Sequence, residues 1–468
     1  MGEIQAVILA AGEGKRMHST LPKVLHPLCG RPLLRYILDS AVAVAGEPVI
    51  VIGRGAALVR ETIGAGWSYA VQEKQLGTGH ALMQALPHLP EEGLLLVLCG
   101  DTPLLEREDL EQLIRDHGDS AATVMTAVPP DPTGYGRVIR DPGGAVLRIV
   151  EESDATSAEV EVAEINSGSY CFDLKVLREF LPLLSPENVQ QEYYLPEILS
   201  LMREQGHRIG ASCLGRWQVA LGINDRCQLA EAAAIMRGRI NCSLMRQGVT
   251  MIDPASTYID FDVRIGAETV LLPQTLIEGN TVIGSGCRIG PGVQIMNAQI
   301  GDGVVIRQAV VAGSILENGA AIGPFANIRP GCRIGPGVKI GDFVEVKNST
   351  IGAESKLPHH SYAGDVDIES GVNLGAGVIV VNFDGRKKHR SLIRRGAFIG
   401  CNSNLVSPLE IGEGAFVAAG STVTGDVPAG ALAIARTDQK NCAGLGKRLL
   451  EKGLQQDKKG RAEKEEKA

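Results

Sequence analysis

The stretch IGPFANIRPGCRIGPGVKIGDFVEV (residues 322–346) sets Ile322, Ile328, Ile334, Ile340 and Val346 six residues apart, with Gly323, Gly335 and Gly341 directly after three of them. An amphipathic helix needs apolar residues three and four apart, so this period excludes one. One aliphatic and one corner glycine every six residues is the pattern of a hexapeptide β-helix. Each aliphatic points inward there and stacks on its equivalent one coil away. The same train runs through Ile393, Ile399, Leu405, Ile411, Val417 and Val423, and shorter ones run through Ile283–Ile289–Ile295 and Ile368–Leu374–Val380. With three six-residue faces to a coil, residues 251–436 make roughly ten coils. The period breaks at Ala353–Val366 and Val381–Leu392, and breaks in a solenoid are expected to leave it as loops that carry binding function.

Composition agrees with this reading. Glycine supplies 57 of 468 residues, and 28 of those fall in residues 251–436, a stretch without Trp. Aromatic residues are 4% of the chain, so stacked aliphatics rather than rings must fill its interior. The net charge of −8 and the lack of a basic patch argue against nucleic-acid binding. Without an apolar run of 18 residues or a signal-peptide layout, the chain is expected to be cytoplasmic, with no membrane partner. Ten scattered cysteines with no CxxC pair speak against a disulfide framework and a zinc knuckle. The mixed-charge run Lys458–Ala468 reads as a solvated tail.

The amino-terminal half follows a different rule. Apolar strands at Ile4–Ala10, Pro48–Ile52, Leu94–Leu98 and Ala121–Ala127 alternate with helical spacing at Pro32–Val44 and Arg107–Arg115, and a helix is expected to start near Arg16. That alternation predicts an α/β, Rossmann-like, mostly parallel sheet with helices on both faces. Ligands then sit beyond the carboxyl ends of the strands, where Gly12–Arg16 and Asp101 fall. Asp225–Gln247 reads as one long helix and a stiff connector. The expected divisions are 1–228, a helical linker at 229–249, the β-helix at 250–436 and a charged, flexible tail at 437–468.

Three groups of residues carry candidate chemistry. In Leu9-Ala10-Ala11-Gly12-Glu13-Gly14-Lys15-Arg16, glycines at a strand end expose backbone N–H groups to an anion, and Arg16 and Lys23 add charge. The spacing is neither the dinucleotide fingerprint nor a Walker loop, and an ordinary tight turn remains open. Asp101, ending the Leu94–Leu98 strand, either holds Mg2+ or caps the next helix. Gln72, Gly77, Thr78, Gly136, Glu151, Asn166 and Asn224 are loop positions that one by one read as turns. In the first break of the β-helix, His359 and His360 are either surface residues or functional ones.

LAAGEGKRM, LPKVLH, QLGTGHA, CGD, DPTGYGR and EIN, followed by the hexapeptide trains, occur in this order from Ile4 to about Arg436. In that order they resemble the bacterial bifunctional N-acetylglucosamine-1-phosphate uridyltransferase/glucosamine-1-phosphate acetyltransferase family. The resemblance implies an α/β nucleotidyltransferase domain followed by a left-handed parallel β-helix, assembled as a homotrimer. Its partners are UTP, N-acetylglucosamine-1-phosphate, glucosamine-1-phosphate and acetyl-CoA, with Mg2+ as cofactor. It implies that Arg16 and Lys23 act on the nucleotide phosphates and that Leu9, Ala10, Ala11, Gly12, Gln72, Gly77 and Thr78 hold the nucleotide. Gly136, Glu151 and Asn166 would take the sugar phosphate, and Asp101 and Asn224 the Mg2+. In the β-helix, His359 would be the base, with Arg329, Lys347, Tyr362, Asn373 and Lys388 on glucosamine-1-phosphate. Ala376, Asn382, Phe383, Cys401, Ala419 and Arg436 would meet acetyl-CoA. The chain departs from the family's pattern at Cys401 (commonly Ser), at Phe383 (usually Tyr), and at Pro196 and Glu197 (usually Thr and Asp). Two other readings stay open: a nucleotidyltransferase whose β-helix only oligomerises or regulates, and a scaffold without catalysis.

Overall fold

A computed structural model describes residues 3–454, so Lys458–Ala468 lies outside the described residues. The chain divides into two compact units, Met1–Asn297 and Ala298–Ala468.

The first unit is built on one sheet with strand order Ile209–Cys213, Ala122–Ala127, Ile165–Asp173, Leu94–Cys99, Ile4–Ala10, Val49–Ile52 and Ser68–Val71. Neighbours in this order pair in parallel except Ile165–Asp173, which is antiparallel to both of its neighbours and also to Arg137–Arg140, a strand off this order that pairs antiparallel with Val146–Val150. The apolar run of Ile4–Ala10 is continuous because both faces are covered. Val7, Val49, Leu95 and Val97 pack on one side with Leu82; Ile8, Ile50, Leu96 and Leu98 pack on the other against Leu34, Ile37 and Leu38. Leu34, Ile37 and Leu38 are all fully buried, and each contributes about 1.5–3 kcal/mol by leaving water. They belong to the helix Leu33–Ala45, which Gly46 ends at φ +71°. Register places Ala10 opposite Ile52 and Leu9 opposite Cys99, so the loops after these three strands open at one sheet edge.

The helix expected near Arg16 is absent. Lys15–Met17 and Lys23–Leu25 are single 3-10 turns, interrupted by left-handed His18 (φ 47°) and by Pro22, and the first α-helix begins only at Leu33. The expected long helix is present as Arg226–Arg246, capped by Asp225, whose carboxylate accepts the Cys227 and Gln228 N–H groups. It is more than a spacer, because Ala232, Met236, Ile240 and Leu244, four residues apart, are buried along its length. Past it, Thr250 to Met296 make the first coils, where Ile265 pairs with Ile283, Leu271 with Ile289 and Ile277 with Ile295.

The second unit is the same three-faced coil. Ile322 pairs with Ile340, Ile328 with Val346 and Ile334 with Ile351, all within 2% of full burial. The break expected at Ala353–Val366 is not a loop. Lys356–His359 and Tyr362–Gly364 are strands in register with the previous coil, and Leu357 and Ala363 point inward at 0% exposure. The sequence period is lost because the steps Val346 to Ile351 and Ala363 to Ile368 are five residues long. At the other break the chain does leave the coil, between strands Ile379–Val381 and Ser391–Ile393. Buried corner hydroxyls take up the turn carbonyls: Ser349 Oγ donates to Lys347 O at 2.7 Å and Ser361 Oγ to His359 O at 2.9 Å. Residues 445–454 are helical and exposed.

Candidate functional site

A cleft of about 540 Å³ opens at the edge where Ile4–Ala10, Val49–Ile52 and Leu94–Cys99 end. Leu9, Ala10, Ala11, Gly12, Arg16, Lys23, Gln72, Gly77, Thr78, Asp101 and Asn224 all line it, gathered from loops more than 200 residues apart. Its charged centre is Lys23, whose side chain is 14% exposed. The ammonium is ion-paired to Asp101 and donates to Asn224 Oδ1 at 3.1 Å. Gly14 makes this possible: at φ +62° a Cβ there would stand 2.7 Å from Lys23 Cβ. Asp101 is not the helix cap, since Arg107–His117 is capped by Glu106 in a capping box with Asp109. With no α-helix after Gly14, the anion-binding capacity of the loop rests on backbone N–H groups and on Arg16 and Lys23, without a helix dipole.

The wall opposite is held by backbone. Gln72 Nε2 donates to Gly77 O at 3.1 Å and lies 3.0 Å from His80 Nδ1. Tyr193 N–H donates to Leu76 O and accepts Gly79 N–H at its own carbonyl, both at 2.8 Å. Leu195 N–H donates to Thr78 Oγ1 at 3.1 Å. Glu192 and Gln75 enter the cleft on this zipper, and the sequence reading missed both. Nothing in the local pattern around Glu192 marks it, because it is delivered by main-chain bonds of Tyr193.

Gly136, Glu151 and Asn166 form a second group. Asn166 N–H donates to Gly136 O at 2.8 Å, and a Cβ on Gly136 would lie 3.2 Å from Glu151 Oε1. Burial, then the charge of Asp154, pushes the Glu151 carboxyl above its ordinary range. Cys99 joins this group to the cleft, lining the cleft while its thiol donates to Gly168 O at 3.4 Å. Burial and neighbouring Asp101 push that thiol up to about 12, which keeps it protonated.

On the second unit, one column of corner residues runs through Asp342, His359, Ala376, Cys401 and Ala419. His360 N–H donates to Asp342 O, Gly377 N–H to His359 O, Asn402 N–H to Ala376 O and Gly420 N–H to Cys401 O, at 2.9, 3.3, 2.7 and 2.8 Å. Coils rise by about 4.8 Å, so Cys401 lies two steps, about 10 Å, from His359. The His359 imidazole is bonded through Nδ1 to Asp342, which keeps the Asp342 carboxyl below its usual range. That bond assigns the Nδ1 proton toward Asp342 and leaves Nε2 as an outward acceptor.

Three cations cluster at the end of the next face, where Lys347 stands in register with Gly364. Lys347 is pulled below the ordinary lysine range by contact with Lys388 and then by the charges of Lys388 and Arg329. Arg329 also pairs with Glu345 at 2.8 Å. Asn382 Nδ2 donates to Asp365 Oδ2 at 2.6 Å and reaches Tyr362 OH at 3.4 Å. The chain excursion after Val381 closes through a bridge between Phe383 and Lys388, which returns Lys388 to the cluster. Asn373 lies on the strand beside Lys356, on the face that ends in His359. Arg436 follows the last strand, Leu432–Ala433, is exposed, and makes no ion pair among the described residues. Sequence reasoning missed Asp342, Glu345 and Asp365, although the register of one coil onto the next points from His359 to Asp342.

Residues 6–163 match the MobA-like NTP transferase domain family, and residues 262–297 and 313–348 match the bacterial transferase hexapeptide (six repeats) family. The bifunctional protein GlmU of Brevibacillus brevis is 47% identical over 460 residues, covering 97% of this chain and all of that protein. Those of Geobacillus thermodenitrificans and Bacillus velezensis are each 50% identical over 440 residues, 93% of this chain and 96% of theirs. With such identity along almost the full length of both chains, this protein belongs to the bacterial bifunctional uridyltransferase/acetyltransferase family, the GlmU proteins.

Proposed function

We propose that the β-helix acetylates glucosamine-1-phosphate from acetyl-CoA and that the amino-terminal sheet domain joins N-acetylglucosamine-1-phosphate to UTP, giving UDP-N-acetylglucosamine and pyrophosphate. On this reading the working divisions are 1–228, 229–249, 250–436 and a tail from 437. The observation that carries the two-activity reading is His359, held by Asp342, with the Lys347, Lys388 and Arg329 cluster at the end of the next face of the same coils. A solenoid that served only assembly has no use for that constellation.

In the first reaction the amine of glucosamine-1-phosphate attacks the thioester carbon. His359 Nε2 takes a proton from the amine, the C–S bond breaks, and coenzyme A leaves. Lys347, Lys388 and Arg329 hold the sugar phosphate, with Tyr362 and Asn373 at the ring. Asn382, Phe383, Cys401, Ala419 and Arg436 line the path of acetyl-CoA, and the Ala376 peptide faces the developing oxyanion. His359 and Phe383 are 57% and 54% exposed at their side chain and residue respectively. A neighbouring copy in a homotrimer closes such an open site.

In the second reaction a phosphate oxygen of N-acetylglucosamine-1-phosphate attacks the α-phosphorus of UTP in line, and pyrophosphate leaves. Leu9 to Gly12 and Gln72 to Thr78 hold the nucleotide, and Gly136, Glu151 and Asn166 the sugar. Asp101 and Asn224 present two oxygens converging on one cation, now the Lys23 ammonium. Two such donors, completed by phosphate oxygens and water, suit Mg2+. When bound, Mg2+ neutralises charge on the departing pyrophosphate. Lys23 gives way on its flexible stem and, with Arg16, turns to the phosphates. Among the described residues no helix is long and apolar enough to cross a membrane, and both donors are cytoplasmic metabolites, so we place the reactions in the cytoplasm.

The test is pyrophosphate release from UTP with N-acetylglucosamine-1-phosphate and, separately, glucose-1-phosphate. Faster turnover of the acetylated sugar supports the assignment, and faster turnover of the glucose substrate refutes it.

A further inference from the structure

The first unit has a second cleft, larger than the nucleotide cleft. A groove of about 710 Å³ lies on the far side of the Asp101 loop, within the 300–1,000 Å³ typical of small-molecule sites. Its floor is apolar, formed by Leu105, Met236, Ile240, Leu244 and Phe261. Its rim is charged. Asp39 is paired with Arg31 and Arg35, and Glu106 with Arg216 and Arg239. Arg107 is paired with Glu111. Arg264 is a rim cation with no ion pair among the described residues, and Asp262, the acid its charge acts on, is already paired with Arg31. The unmatched charge is therefore positive and sits against an apolar floor.

The two clefts share one segment of chain. Asp101 lines the nucleotide cleft, and two to four residues later Pro103 and Leu105 line the groove. Two groove side chains hold that segment: Arg239 Nη1 donates to Leu104 O at 2.8 Å, and Ser40 Oγ donates to Leu105 O at 2.9 Å. Leu104 and Leu105 are 0% and 2% exposed, so the segment cannot shift without those two bonds changing. Arg239 Nη1 is shared between the Glu106 carboxylate and the Leu104 carbonyl, and an anion seated at the rim competes with both for that guanidinium, the neutral carbonyl being the weaker partner.

We propose that this groove is a regulatory site for a small amphiphile, an apolar body with one anionic group, which weakens UTP binding by loosening the segment that positions Asp101. The coupling rests on the uridylyl reading of the Asp101 cleft, whereas occupancy of the groove does not.

The probe is 8-anilinonaphthalene-1-sulfonate, an aromatic body with one sulfonate, on the full-length protein. Its fluorescence titration is expected to show saturable binding that Ala43→Trp and Ser243→Trp, from the two helices facing the groove, each weaken at least tenfold. Ala43 is exposed, so its replacement spares the core. Arg264→Gln, also at an exposed position, is expected to weaken binding at least threefold. Calorimetry with Mg2+ present should show UTP binding at least threefold weaker when the probe saturates, with the difference gone in Ala43→Trp. Probe affinity unchanged by Ala43→Trp and Arg264→Gln overturns the site. UTP affinity indifferent to bound probe overturns the coupling, and displacement by UTP that persists in Ala43→Trp puts the probe in the nucleotide cleft instead. Failure of pyrophosphate release without any probe counts against the uridylyl reading alone.

Discussion

Gly77 is where the nucleotide cleft is most sensitive to a single added carbon. Its φ of +102° is one that side-chain-bearing residues rarely adopt, and a Cβ would stand 2.6 Å from Tyr193 O and 2.8 Å from Tyr193 N. Both are main-chain atoms already engaged with Leu76 and Gly79, so neither can rotate away. Gly77→Ala therefore carries backbone strain of about 1–3 kcal/mol. It also parts the two Tyr193 bonds, worth about 0.5–1.5 kcal/mol each. The sum is about 2–6 kcal/mol, and local relaxation favours the lower half. The assay is built into the chain, since its 2 tryptophans, Trp67 and Trp217, both lie in the first unit. Tryptophan fluorescence in urea thus follows that unit, and with a slope of about 1–3 kcal/mol/M a loss of about 3 kcal/mol moves the midpoint down by at least about 1 M. UTP binding weakens in parallel because Gln72 and Thr78 lose their frame, while acetyl transfer does not change. A midpoint within about 0.2 M of the parent, with unaltered UTP affinity, refutes the reasoning.

Other outcomes follow from the same geometry. Lys23→Ala removes the cation between Asp101 and Asn224 and is expected to lower kcat/KM for pyrophosphate release by about 10²–10³, the scale of one lost charge-stabilising donor, with acetyl transfer unchanged in the same preparation. Asp342→Asn takes the carboxylate from His359 Nδ1, and coenzyme A release should slow about tenfold or more; an unchanged rate argues against Asp342 as the orienting group. Glu151 has a folded pKa raised by burial, so its stability contribution is present below the unfolded value and is lost as pH rises through the raised one. Glu151→Gln should accordingly unfold at higher urea than the parent at pH 7–8, converge with it toward pH 4, and bind the sugar phosphate more weakly.

Much of this architecture is readable from residue spacing, and the exceptions have physical causes. An inward aliphatic every six residues fixes which side of each coil is buried, so Ile322 to Val346 could be assigned without coordinates. The coil through Leu357 and Ala363 was hidden because two corners are one residue short, and a one-residue change defeats a strict period while leaving the parallel register intact. The turn after Gly14 looked like a helix start since Gly and basic residues suit both, and Pro22 with left-handed His18 decided otherwise. In the cleft, Lys23 and Asp101 stood out by charge at strand ends. Glu192 did not, because main-chain bonds bring it there. Asp342 is an ordinary corner acid until the coil register sets it against His359.

The central claim is that one chain carries two separate active sites, the second built around His359. The most direct measurement compares His359→Ala with the parent in two assays on one preparation: coenzyme A release from acetyl-CoA with glucosamine-1-phosphate, and pyrophosphate release from UTP with N-acetylglucosamine-1-phosphate. The account predicts that the first is abolished and the second keeps its parental rate. Acetyl transfer at the parental rate, or loss of both activities in a folded protein, contradicts it.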